Sequence, residues 1–182
     1  MRKLSRQSDD AWVAHSYPPV FAVETTAGTE RLVVGVPGGD HTVFGRLVAA
    51  LEPPYFILYL LHTPRGGGEP GRYQSPPLSL SEFQAFLGRY SSFLSADARH
   101  DIWAHSSTDE ATVVWDRHNL IYAYGPVDRF TSVLRGLGFG HGTPNAAFPH
   151  QHHYRAEFDA DAATLLSAFE WSHSPLHAED EQ

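Results

Sequence analysis

Between residues 100 and 126 the chain reads HDIWAHSSTDEATVVWDRHNLIYAYGP, three short apolar runs separated by turn chemistry. That pattern predicts an antiparallel meander. In the first run the alternation sends Ile102 and Ala104 to one face and Trp103 and His105 to the other. In the second, Val113 and Trp115 oppose Thr112, Val114 and Asp116, and both sets are largely apolar, as in a strand covered on both sides. Asp116-Arg117-His118-Asn119 fits a type I turn closed by a residue in the left-handed region, with Asp at the first position and Asn where positive φ must be tolerated.

The same reading extends along the chain. Two β-branched runs at 20–24 and 31–36, joined by Thr25-Thr-Ala-Gly28-Thr, predict a hairpin. Asp40 is a natural N-cap for a helix with Val43, Phe44, Leu47, Val48 and Leu51 at helical spacing, ended by Pro53-Pro54. Residues 55–63 are apolar at almost every position and bounded by prolines, which predicts a central strand. The glycine- and proline-rich stretch 63–77 lacks any period and reads as a long mobile loop.

The next helix carries the most local information. Ser79-Leu-Ser-Glu82 has capping-box spacing, Leu78 and Phe83 form a hydrophobic staple, and Phe83, Phe86, Leu87, Tyr90, Phe93 and Leu94 make one stripe. That face must be buried. After the meander, Gly125-Pro126 opens a helix with Phe130, Val133, Leu134 and Leu137 inward, ending near Gly138. Residues 139–149 read as a loop and 149–158 as a strand; Asp159 then caps a last helix, and the polar tail 172–182 is expected to fray.

The elements predict one α+β domain over residues 1–182, a two-layer, mainly antiparallel sheet covered by helices. The order hairpin, helix, strand, helix occurs from 20 to 94 and again within 101–171, which suggests two related ββαβα halves around a shared sheet.

Charge and composition narrow the function classes. Thirteen basic and twenty-one acidic residues give a formal charge of −8 without a lysine or arginine cluster, a poor match for nucleic acid. A basic protein partner suits that balance better. There is no cysteine, so disulfides, thiolate metal sites and a cysteine nucleophile are excluded. The basic start Met1 to Arg6 meets polar residues where a signal peptide needs an apolar core, and the longest apolar run, 55–61, is far short of the roughly 20 residues that cross a bilayer. The expected location is the cytoplasm, with no membrane contact.

Twelve histidines supply the candidate chemistry. His150 and His152 are two apart in a predicted strand, so both imidazoles share a face, as a bidentate start to a zinc, iron or manganese site requires. A third ligand could come from His105, His118, His141 or Asp116; His141, between two glycines, has the best access, and His105 sits at a strand end. Arg155 faces away from this pair, towards a carboxylate such as Glu157. No Gly-x-Ser-x-Gly elbow or helical His-Glu-x-x-His is present.

Two functions follow from different classes. The leading expectation is a binding or regulatory domain without a cofactor, recognising a protein partner through an acidic, aromatic-edged surface that includes Trp115, Tyr122 and Tyr124. The alternative is a metal-dependent hydrolase built on His150 and His152, with His141 and His105 to complete the site.

Overall fold

The computed structural model describes residues 1–26 and 28–180. Ala27, in the predicted hairpin connection, and Glu181 and Gln182, in the predicted tail, lie outside the described residues. Among the described residues the strands are β1 (Leu4–Ser8), β2 (Ala11–Ala14), β3 (Val20–Thr26), β4 (Thr29–Gly35), β5 (Tyr55–Leu61), β6 (Gly71–Gln74), β7 (His100–Ser106), β8 (Ala111–Trp115), β9 (Leu120–Tyr124), β10 (Gly140–His141), β11 (His150–His152) and β12 (Ser172–Ser174). The α-helices are α1 (His41–Val48), α2 (Leu80–Ala96), α3 (Val127–Gly136) and α4 (Asp159–Leu165). None of these helices is long and apolar enough to cross a membrane.

Nine strands form one sheet in the order β10-β3-β4-β9-β8-β7-β5-β6-β12, antiparallel throughout except for the β10–β3 edge pair. A second sheet, β11-β1-β2, stands at the end of the first where the β8–β9 turn lies. The fold is therefore the expected α+β arrangement, with the β7-β8-β9 meander at the middle of the large sheet. The two runs expected to correspond in related halves occupy different places: β5 pairs with β7 in the large sheet, β11 with β1 in the small one.

Strand alternation divides the large sheet into two unlike faces. One face carries Leu32, Val34, Ile57, Tyr59, Ile102, Val113, Trp115 and Ile121, all buried beneath the helices. There α2 lays down its stripe, with Phe83 fully buried against Phe44 and Tyr55. At about 1.5–3 kcal/mol per large apolar side chain, this layer supplies most of the gross burial energy. The capping box is present, Ser79 Oγ accepting from the Glu82 amide and Glu82 reaching back to the Ser79 amide, and Asp40 caps α1 by accepting from Thr42 N.

Several segments gain structure that their local sequence does not announce. Residues 71–74, inside the stretch expected to be a mobile loop, form β6, which bridges β5 and β12. The tail does not fray at its start: β12 pairs with β6, and Asp180 is buried with its carboxylate on Arg72 at 2.7 and 2.9 Å. A polar segment packs here because its polar groups are paired. The strand expected over 149–158 stops at His152, and a 3-10 turn, Ala156–Phe158, follows. Asp159 falls in the first turn of α4 instead of capping it and receives Arg99 at 3.1 Å. Gly140 and His141, in the expected loop 139–149, form an edge strand with β3.

A buried polar knot joins the two sheets. Arg99 is 1% exposed and donates to both oxygens of fully buried Asp97, which also accepts from the Arg155 amide at 2.7 Å. Arg155 itself does not pair with Glu157; its guanidinium donates to the carbonyls of Ala96 and Arg2. These bonds hold the segment after β11 against the end of α2. They set where the histidines of β11 come to rest.

Candidate functional site

The β8–β9 turn is built by one carboxylate. Asp116 Oδ1 accepts from the amides of His118 and Leu120 at 2.9 and 2.8 Å, while Asn119 takes φ 60°, the left-handed position expected of it. The other carboxylate oxygen, Oδ2, lies 3.1 Å from His118 Nδ1. A short Asx-type turn thus fixes both the backbone and the ring of His118.

β11 brings the other two rings. It is the edge strand of the small sheet, with His152 opposite Leu4 and His150 opposite Arg6, so the two imidazoles project from one face as the i, i+2 spacing predicts. The ring centroids lie 5.2 Å apart for His118–His150, 4.9 Å for His118–His152 and 5.1 Å for His150–His152. One ring nitrogen from each lies within 4.8 Å of the other two. In a tetrahedral site with metal–nitrogen bonds of about 2.0–2.1 Å, such nitrogens stand roughly 3.4 Å apart, so the rings would draw in by about 1.5 Å at most.

Hydrogen bonding sets the tautomers. His150 Nδ1 is 3.0 Å from the Phe148 carbonyl, which can only accept, so Nδ1 is the donor and Nε2 is the nitrogen left to face a metal. The same logic applies to His118 on the Asp116 carboxylate. Metal-binding histidines characteristically donate their second ring N–H in this way. His152 Nε2 is buried without a hydrogen-bond partner, and burial together with neighbouring His118 and His150 holds its pKa down to about 4. Its ring is therefore neutral near pH 7, the protonation state a metal needs.

A cavity of about 520 Å³ opens beside this trio over the uncovered face of the large sheet, lined by His118, His150, Arg31, Trp103, Val114 and Tyr122 among others. Three of the carboxylates that line it are already engaged, and a fourth, Glu179, is exposed. Asp101 accepts from His62 Nε2 and the Arg117 amide, Asp116 holds the turn, and Asp180 holds Arg72.

The residues singled out from sequence are distributed unevenly. His150 and His152 meet, and of the four candidates for a third ligand it is His118 that joins them. His105 bonds Thr112 Oγ1 at 3.0 Å, and its ring lines a separate cavity with Phe56, Leu58 and Trp103. His141 sits at the far edge on β10, 3.1 Å from an Arg135 nitrogen and tilted against the Phe21 ring. Trp115 is fully buried under the helices, so it offers nothing to a partner; parity put it on the same face as Val113, and that face is the core. Tyr122 and Tyr124 lie half-buried on the open face, where Arg31 rests 4.5 Å from the Tyr122 ring and donates to the Tyr124 hydroxyl at 2.7 Å. Arg31, Trp103 and Asp101 carry no sequence signal; only cross-strand register gathers them.

No family model, curated protein or solved structure matches this chain.

Proposed function

We propose that this protein is a metal-dependent hydrolase whose ion is held by His118, His150 and His152. The observation that carries the reading is the convergence of three imidazole nitrogens within 4.8 Å of one another, with His118 and His150 lining a cavity of about 520 Å³. Three imidazole nitrogen donors suit zinc, iron or manganese, and leave a coordination position for water. A bound divalent ion lowers the pKa of that water towards 7 and so supplies hydroxide near neutral pH. Recognition of a protein partner through an acidic, aromatic-edged surface is the second reading. It rests on Tyr122 and Tyr124, without Trp115.

The test is metal stoichiometry. Protein purified without an affinity tag, stripped and titrated with zinc, cobalt and manganese, is expected to take up one ion per chain. His118→Ala, His150→Ala and His152→Ala should each weaken uptake at least a hundredfold while the far-ultraviolet circular dichroism stays unchanged. Equal uptake by wild type and His152→Ala removes the reading and returns the partner-binding one to first place.

A further inference from the structure

Resting on the metal reading, we infer that the substrate is a two-headed organic anion with a flat apolar body: the reacting group at the histidine trio, a second anionic group on Arg31. Three features of the cavity lead there.

The first is charge. A divalent ion on three neutral imidazoles would leave the trio end of the cavity strongly cationic. Asp101, Asp116 and Asp180 line the same cavity, each already accepting from a histidine, an arginine or backbone amides, and Glu179 stands exposed at its edge. Two arginines, Arg117 and Arg31, also line the cavity, and Arg31 is the one set over its aromatic wall. One terminal nitrogen donates to Tyr124 and the other reaches Glu24 at 3.2 Å, which commits two donors of a group that carries five. Its side chain is 20% exposed, and it lines the same cavity as His118 and His150.

The second is spacing. Leu120, Tyr122 and Tyr124 follow one another along the open face of β9, and the His118 turn is joined to the Leu120 end. Two residues of strand span about 7 Å. The Arg31 guanidinium rests over Tyr122, one such step beyond Leu120 and further than that from the trio. A ring with charged groups at opposite ends has that reach.

The third is the wall between the two ends. Trp103, Val114, Leu120 and Tyr122 line it, and their flat or branched apolar surfaces favour a planar body over a flexible polar one. Arg31 is itself stacked on Tyr122, which fixes the plane of its fork and favours a carboxylate or phosphate approaching edge-on.

Binding of rigid dicarboxylates decides the matter. Terephthalate, biphenyl-4,4'-dicarboxylate and benzoate are titrated calorimetrically into zinc-loaded wild type, Arg31→Gln and Arg31→Lys. In wild type one of the two dicarboxylates should bind at least tenfold more tightly than benzoate. Arg31→Gln should abolish that advantage without changing benzoate affinity, and Arg31→Lys should restore part of it. If benzoate binds as well as both dicarboxylates, or if the advantage survives in Arg31→Gln with its melting temperature intact, the Arg31 subsite is wrong and the metal site stands. If wild type takes up no zinc, the metal reading fails first, and this inference falls with it.

Discussion

The two faces of the large sheet are built from the same strands, yet they have opposite fates. Beneath the helices, alternate residues of β5, β7, β8 and β9 are buried and, apart from His100 and Ser106, apolar, with Trp115, Ile57 and Ile121 all at 0% exposure. On the other face the intervening residues include half-buried Asp101, Trp103, His105, Tyr122 and Tyr124, beside buried Leu60, Val114 and Leu120. The difference teaches where stability and chemistry are separated. One face excludes water and holds the fold together; the other keeps titratable groups within reach of a ligand, its floor rigid because the first face is packed.

Substitutions that treat the faces differently put this contrast to work. The largest effect is expected at Phe83, fully buried in the helix layer: Phe83→Ala should cost about 3–5 kcal/mol in urea unfolding, against about 1 kcal/mol for Tyr122→Ala on the open face. Equal costs would mean that the open face is core as well.

Next in size, Asp116→Ala tests whether the turn serves both faces. Losing the acceptor for His118 and Leu120 amides should cost about 2–3 kcal/mol, and losing the contact to His118 Nδ1 should weaken zinc about 10–100-fold. A variant destabilised to that degree with wild-type zinc affinity would uncouple the turn from the site.

The smallest effect is a pH dependence. His152 is held at about 4 by burial and by His118, His150 and Arg117, with Asp101 opposing, whereas the unfolded chain has the ordinary value near 6.5. The unfolded state therefore binds the proton first on acidification. The stability contributed by the neutral ring is fully present above about pH 6.5 and is lost as pH falls towards 4. For a partly exposed ring this amounts to about 1–2 kcal/mol, or about 3–6 °C in melting temperature. His152→Gln should flatten the acid limb by that amount, although His15, His100 and His153, whose pKa values are lowered too, keep part of the slope. An unchanged acid limb would place the ring in solvent.

The contrast also explains what was legible along the chain. The stripe of α2 and the parity of β7 and β8 were readable because each is a local period forced by one buried side. The i, i+2 pairing of His150 and His152 was readable for the same reason. The third ligand was not: His105, His118 and His141 all sit near strand ends or loops, and nothing local ranks them. Trp115 shows the limit of parity, which sorts residues into two faces without saying which face the helices cover. β12 escaped notice because its stability is in its pairing with β6 and in the Arg72–Asp180 pair, about a hundred residues apart, and β6 because it is held between β5 and β12.

Sequence alone therefore determined the hairpin, β5, the meander, the helices with their amphipathic sides, the Asp116–Asn119 turn and the histidine pair, since each depends on backbone preferences and side-chain periods within a few residues. Only the tertiary structure decided that the turn of the large sheet meets the edge of the small one, bringing His118 to His150 and His152 and Arg31 to the same cavity. Those meetings are set by strand register and by the buried Asp97–Arg99 knot, interactions between residues far apart in the chain that no local pattern encodes.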